Sequence, residues 1–212
     1  MRLGIFGGTF DPPHCGHVRL AVAARDQLQL DRVLWVLTAD PPHKHNRPIS
    51  PVADRLAMVE AALQFEAAGE LSRVDIDRPG PHLAADTVAL LSQQYPGARL
   101  VYLMGGDSLR DLPGWIRPEA FLAHCSLGVL RRPGSALDLP RLEQALPALK
   151  GKVAFVETSL VGISSNEIRR RVQAGLPLEG WVPAEVAQVI RDRGLYLSGG
   201  EAVVPGGGAN HA

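Results

Sequence analysis

Two histidines three residues apart, His14 and His17, stand in the run Gly7-Gly8-Thr9-Phe10-Asp11-Pro12-Pro13-His14-Cys15-Gly16-His17. That spacing puts them on one face of a helical turn. Pro12-Pro13 breaks any earlier helix, so a new one is expected to start near His14. The first turn of a helix carries unpaired N–H groups and the positive end of the dipole, and both attract anions. Imidazoles placed there can donate to phosphate oxygens and take on charge as a transition state forms. Gly7 and Gly8 permit a tight exit from a strand and close approach of a ligand to the backbone. Gly16 removes a side chain between the histidines and leaves room for a base or a phosphate. The run is neither a Walker A loop, which ends in Gly-Lys-Ser/Thr, nor a GxGxxG fingerprint. The plainer alternative is a pair of surface histidines at a helix start. A zinc pair would need further ligands, and no carboxylate sits at metal spacing. The preceding strand, the two glycines and the proline break favour the phosphate reading.

A second constellation lies far along the chain, in Gly162-Ile163-Ser164-Ser165-Asn166-Glu167-Ile168-Arg169. Ser164, with Glu167 three residues on, fits a capping box. The hydroxyls of Ser164 and Ser165 and the open N–H groups make a second candidate anion site. Arg169 lies about one turn in and can reach a β- or γ-phosphate as a planar, multi-donor cation. Its alternative is a capped helix with a basic face, since Arg169, Arg170 and Arg171 are consecutive. Two helix N-termini at one sheet edge, one with paired histidines and one with arginine, are better explained by a nucleoside triphosphate.

The elements that must position these residues alternate. Strands are expected at 3–6, 32–37, 74–76, 99–104, 126–130 and 153–156, and helices at 14–30, 51–68, 84–95, 119–124, 139–149, 164–174 and 183–193. Ser50 is expected to cap the second helix, with Pro51 at its first position. Such alternation predicts an α/β fold: a Rossmann-like, doubly wound parallel sheet with a small C-terminal helical extension. One domain is expected over 1–198, with its helical part from about 163, and 199–212 reads as a Gly-rich, disordered tail. In such sheets ligands bind beyond the carboxyl ends of the strands, near the switch in strand order. That rule singles out the segments after Phe6, Met104 and Val156, where the unusual residues concentrate.

Composition is that of an ordinary soluble globular protein and argues against other classes. Of 212 residues, 46% are apolar and 21% charged, and 22 basic residues balance 22 acidic ones. A net charge of zero supplies no broad field for nucleic acid or an anionic membrane, so neither is expected as a partner. Two cysteines, Cys15 and Cys125, make no disulfide framework and no CxxC. No window approaches the roughly 18 apolar residues of a membrane span. A reduced, cytoplasmic protein is the expectation.

His14-Cys15-Gly16-His17 resembles the (H/T)xGH signature of the nucleotidyltransferase superfamily, and the segment from Ile163 to Arg169 resembles its ISSTxIR signature. Asn166 stands where the family usually has Thr or Ser. Within the superfamily the chain is most similar to bacterial nicotinate-nucleotide adenylyltransferases. Their markers recur in order: Gly7 to Pro12, Pro41-Pro42-His43-Lys44, Asp86-Thr87, Met104 to Leu109, Leu112-Pro113-Gly114-Trp115, Arg132-Pro133-Gly134, and Val182-Pro183 on to Gly194-Leu195-Tyr196. The family's usual Ser-Tyr-Thr before Asp-Thr is replaced by His82-Leu83-Ala84.

The resemblance implies a Mg²⁺-dependent reaction of ATP with nicotinate mononucleotide, giving nicotinate adenine dinucleotide and pyrophosphate. A nucleophile that is already a phosphate dianion needs no general base, so alignment and charge stabilisation carry the catalysis. The implied catalytic residues are His14, His17 and Arg169. The ATP site takes in Gly7, Gly8, Thr9, Phe10, Gly16, Ile163, Ser164 and Ser165, with Gly105 and Asp107 on the ribose. His43 and Lys44 reach the mononucleotide phosphate, and Thr87, Trp115 and Arg132 surround the pyridine ring. Mg²⁺ is expected to arrive with ATP and keep several waters, because no carboxylate pair is evident for it. Plainer alternatives stand beside these roles: Trp115 as a core plug, Asp107 as a cap, Asp86 as a cap for the third helix, the Pro-Pro-His-Lys segment as a solvated loop. A nicotinamide-preferring enzyme and a phosphopantetheine adenylyltransferase are the competing enzymatic readings.

Overall fold

Strand β1 (Arg2–Gly8) explains why the sheet is central. Leu3 and Ile5 enter one hydrophobic cluster and Phe6 enters another, so both faces of the strand are covered. The same alternation runs through β2 (Arg32–Leu37) and β4 (Arg99–Gly105). Leu34 and Val36 face one cluster while Val33, Trp35 and Leu37 face the other; Leu100 and Met104 oppose Val101 and Leu103. Period-two alternation with apolar residues on both sides is the signature of a sheet sandwiched by helices.

The computed structural model describes residues 1–40, 49–64, 69–131, 137–158 and 162–197. Among them, β3 (Gly69–Ser72), β5 (Cys125–Arg131) and β6 (Val153–Glu157) complete a six-stranded sheet of order β3-β2-β1-β4-β5-β6. All neighbouring pairs are parallel, from Leu3↔Arg32 between β1 and β2 to Arg2↔Arg99 between β1 and β4. The order reverses between β1 and β4, which places the ligand crevice at the carboxyl ends of those two strands. The expected doubly wound architecture is therefore observed.

Helices α1 (Cys15–Gln27) and α2 (Val52–Leu63) cover one face. Helix α3 (Ala84–Gln94), short α4 (Gly106–Asp111), α5 (Pro118–His124) and α6 (Leu139–Ala145) lie along the rest of the chain. A third cluster joins Met58, Ala61 and Ala62 of α2 to Ile168 of α7 (Ser165–Gln173) and to Val186 and Ile190 of α8 (Ala184–Asp192). The C-terminal helices thus dock beside the sheet edge through α2.

Three local expectations change. The third strand lies at Gly69–Ser72, not 74–76. Residues 73–77 instead form a turn in which Asp77 N–H reaches Arg73 carbonyl at 2.9 Å. An edge strand takes its register from its neighbour, here Val33↔Gly69 to Val36↔Ser72, rather than from its own β propensity. The helix expected over 139–149 ends at Ala145, and a 3₁₀ turn follows at Pro147–Leu149, because proline cannot continue the ladder. Finally, Pro51 rather than Ser50 is the N-cap of α2. Ser50 N–H donates to Asp11 Oδ2 at 3.3 Å, and its carbonyl accepts from Arg55. The Gly-rich tail lies outside the described residues.

Candidate active site at the carboxyl edge of the sheet

The chain leaves β1 through Thr9 and Phe10 and enters α1 with His14 as N-cap, in extended backbone. His14 is buried and His17 is partly buried, and their rings stack at 3.6 Å between centroids and 24° between planes. His17 Nδ1 accepts from His14 N–H at 3.1 Å, a capping arrangement in which histidine takes the usual glutamate's place. The other side of the His17 ring meets Phe10 edge-on at 5.2 Å and Phe6 at 5.7 Å. Phe10 holds this position with φ 48°, in the left-handed region, and is almost wholly buried. Its side chain supports His17, leaving only its backbone for a ligand.

The glycines of the motif serve the protein's own packing. A Cβ on Gly7 would lie 2.6 Å from the Tyr102 hydroxyl, and one on Gly8 would lie 2.8 Å from the Phe10 ring. The space beside these two glycines is filled by Tyr102 and Phe10, which departs from the ligand-approach expectation. Gly16 is similar: a Cβ there would meet the His14 ring at 3.0 Å from Nδ1, with Ile163 Cβ at 4.0 Å, so the room expected between the histidines is taken up by His14 itself. Among the described residues, His14 Nδ1 is buried without a hydrogen-bond partner. Such an orphaned atom marks an unmet demand for a polar group. Burial also lowers the His14 pKa to about 4, so the ring is neutral near pH 7 in the free protein.

The second motif arrives at the same turn. Ser164 caps α7, its Oγ accepting from Glu167 N–H at 3.2 Å. Glu167 pairs with Arg170 through its carboxylate. Ser165 Oγ donates to the Pro12 carbonyl at 2.9 Å. Arg169 donates to the Asp11 carbonyl and to Asn166 Oδ1. Asn166, the departure from the family pattern, therefore steers the guanidinium. Two segments about 150 residues apart in sequence are brought into direct contact, with Arg169 joined to the turn that precedes His14. The N-terminal turn of α1 is less open than expected, since Cys15 N–H already donates to Trp181 carbonyl at 2.9 Å.

The remaining candidate residues divide. Gly105 ends β4, and among the described residues nothing lies within 4 Å of a would-be Cβ there. Asp107 is exposed in the first turn of α4 and pairs with Arg110 at 3.1 Å. Trp115 is half-buried, packing its ring against Phe121 at 5.4 Å and Tyr102 at 6.4 Å. Thr87 is buried, and its hydroxyl donates to Asp75 Oδ1 at 2.8 Å while Arg78 donates to it. That hydroxyl serves a buried cluster rather than lining a ring site. Asp86 makes no cap; it accepts from Arg117 at 2.6 Å. His43, Lys44 and Arg132 lie outside the described residues.

A cytidylyltransferase-like family model matches residues 5–171. A probable nicotinate-nucleotide adenylyltransferase of Thermomicrobium roseum is 45% identical over 204 residues, covering 96% of this chain and 95% of its own. The corresponding protein of Thermus thermophilus is 39% identical over 196 residues, covering 92% of this chain and 100% of its own. The chain belongs to the nicotinate-nucleotide adenylyltransferase family. It is a nucleotidyltransferase, and its nucleotide-binding fold agrees with that of a solved relative. Plasmodium falciparum nicotinic acid mononucleotide adenylyltransferase, complexed with NaAD, aligns with a TM-score of 0.74 over 92% of this chain and 97% of that one, at 15% identity.

In this adenylyltransferase the residues that hold the site's loops are ones the motifs did not reveal. Arg55 of α2 is 1% exposed and donates to the carbonyls of Thr9 (3.0 Å), Thr38 (2.8 Å), Ala39 (2.7 Å) and Ser50 (2.8 Å). One guanidinium thus ties the loop after β1 to the loop after β2. Asp11 is 6% exposed; its Oδ1 accepts from the Tyr196 hydroxyl at 2.7 Å. Burial, reinforced by the Asp11 charge, holds the Tyr196 hydroxyl protonated far above the ordinary tyrosine range. His82 links Asp40 N–H (3.3 Å) to the Arg78 carbonyl (3.2 Å), joining the stem of the second loop to the segment before α3. An aspartate inside a Thr-Phe-Asp-Pro turn was visible in the sequence, but its partners were not. Among the described residues no group of three or more His, Cys, Asp or Glu side chains is arranged to hold a metal ion.

Proposed function

We propose that the enzyme transfers the AMP moiety of ATP to nicotinate mononucleotide, forming nicotinate adenine dinucleotide and pyrophosphate in NAD synthesis. An oxygen of the mononucleotide phosphate forms a bond to the α-phosphorus of ATP, in line with the bond to the bridging oxygen that breaks. Pyrophosphate departs with that electron pair. The nucleophile is already anionic, so the chain's residues align and neutralise rather than abstract a proton. The joining of Arg169 to the Asp11–Pro12 turn beside His14 carries this reading. It gathers two imidazoles and a guanidinium at the switch point, where a triphosphate meets them together.

In this scheme His14 and His17 donate to phosphate oxygens as charge develops. Arg169 and the N-terminus of α7, with Ile163, Ser164 and Ser165, hold the leaving pyrophosphate. The backbone of Gly105 and the exposed Asp107 carboxylate meet the ribose, and the half-buried Trp115 ring stacks on the pyridine ring. His43, Lys44 and Arg132 are assigned to the mononucleotide on the family resemblance. Asp11 is engaged by Tyr196 and Ser50, and Asp107 pairs with Arg110, so Mg²⁺ is assigned to the triphosphate oxygens with its waters. Bound there it would neutralise phosphate charge.

The test is a product assay with ATP, Mg²⁺ and each mononucleotide in turn. Nicotinate adenine dinucleotide and pyrophosphate should form in equal amounts, with the nicotinate form used more efficiently. Equal or better use of nicotinamide mononucleotide would overturn the substrate assignment, and no transfer with either would overturn the reaction.

A further inference from the structure

Asp11 is a buried carboxylate next to the cation that the proposed reaction depends on. Left to itself, such a carboxylate would close on an arginine as a two-pronged pair, which is the strongest geometry available to both. It does not do so here. Its Oδ2 stays 3.9 Å from Arg169 Nη1, too far for a good hydrogen bond. Two donors hold it back: the Tyr196 hydroxyl at 2.7 Å on Oδ1 and Ser50 N–H at 3.3 Å on Oδ2. Arg169 bonds instead to the Asp11 main-chain carbonyl and to Asn166.

Tyr196 comes from the opposite end of the chain, 185 residues from Asp11. Its backbone has φ 67°, a left-handed conformation that costs free energy for a bulky side chain. Its ring packs with the cluster of α2, α7 and α8, and its hydroxyl alone reaches the catalytic turn. Packing accounts for the ring; the hydroxyl also lies 3.7 Å from Met58 Sδ, a weak acceptor, so the carboxylate at 2.7 Å is its principal partner.

We infer that Tyr196 is a positioning residue: by tethering the Asp11 carboxylate it keeps Arg169 available for the departing pyrophosphate. This rests on the proposed role of Arg169. Tyr196 does not touch substrate. Without its hydroxyl, Asp11 Oδ1 turns to Arg169 and competes with phosphate for the guanidinium.

The reaction exchanges one phosphoanhydride for another, so it can be run in reverse from nicotinate adenine dinucleotide and inorganic pyrophosphate. Tyr196→Phe keeps the ring and removes the hydroxyl. Its KM for pyrophosphate should rise about tenfold, the usual scale for one charge-assisted hydrogen bond, while KM for the dinucleotide stays within about twofold. Adding Asp11→Asn removes the competing charge and should return the pyrophosphate KM most of the way to wild type, a rescue that lost packing would not show. An unchanged pyrophosphate KM, an equal rise for both substrates, or no rescue would overturn the inference. Arg169→Ala separates the two levels. If it leaves the pyrophosphate KM unchanged, the role of Arg169 itself fails; if it raises that constant and Tyr196→Phe does not, only the tether fails.

Discussion

His17 is immobilised from two directions, by aromatic edges on one side and by the His14 N–H on the other. Accepting at Nδ1 puts the proton of the neutral ring on Nε2, which makes Nε2 the donor. His17→Ala removes that donor and should lower kcat about 10²-fold with smaller changes in KM, as for other transition-state donors. A folded variant with unchanged kcat would refute its role. Trp115 stands between core and solvent, with part of its ring packed on Phe121. Trp115→Ala should raise KM for the mononucleotide several-fold more than KM for ATP; a matched rise would mark it as a core plug. At this scale the sequence was readable where chemistry is local. His14, His17, Ser164 and Arg169 sit in runs whose breaks and spacings show their placement. Asp11 and Tyr196 were opaque because the hydrogen bond that gives each its meaning joins residues 185 apart. Thr87 was misplaced for a similar reason: its partners Asp75 and Arg78 lie in an irregular turn that periodicity does not describe.

Among the elements, the strands buried on both faces were the easiest to foresee and β3 the hardest. Arg32–Leu37 and Arg99–Gly105 read as strands because apolar residues fill both faces. Gly69–Ser72 has no such pattern and exists because β2 offers an unpaired edge. The loops above the sheet depend on α2 through Arg55. It offers one fork to four carbonyls, which lysine's point charge cannot reproduce. Arg55→Met leaves those carbonyls and the nearby Asp11 charge without their cation. The expected loss is roughly 3–5 kcal/mol, the scale for breaking a buried charged network. For a domain of this size that lowers the melting temperature by about 10 °C. Arg55→Lys should recover only part of it. Thermal melts of the three proteins decide the matter, and equal stability of the methionine variant would show that the loops are held elsewhere.

For the molecule as a whole, burial of His14 couples catalysis to folding. His14 is buried in a turn that the α7 end and the Trp181 segment hold through the Ser165–Pro12 and Cys15–Trp181 hydrogen bonds, so its proton affinity reports the assembled site. Burial lowers its pKa from about 6.5 to about 4. The unfolded chain therefore binds a proton at His14 before the native one does. Native stability at this group is full above pH 6.5, declines between 6.5 and about 4, and declines no further below that. The integrated loss is about 3 kcal/mol. Denaturant unfolding at pH 7, 5.5 and 4.5 should show it as an excess pH dependence over His14→Gln, in which carboxylate titrations remain and this one does not. ATP should act against the loss. A bound triphosphate favours the imidazolium and raises the His14 pKa in the complex, so the stabilisation conferred by ATP should grow as pH falls from 7 towards 5 in the wild type and stay flatter in the glutamine variant. Parallel stability profiles for the two proteins, with and without ATP, would show that His14 is neither buried as a neutral ring nor charged by the phosphates.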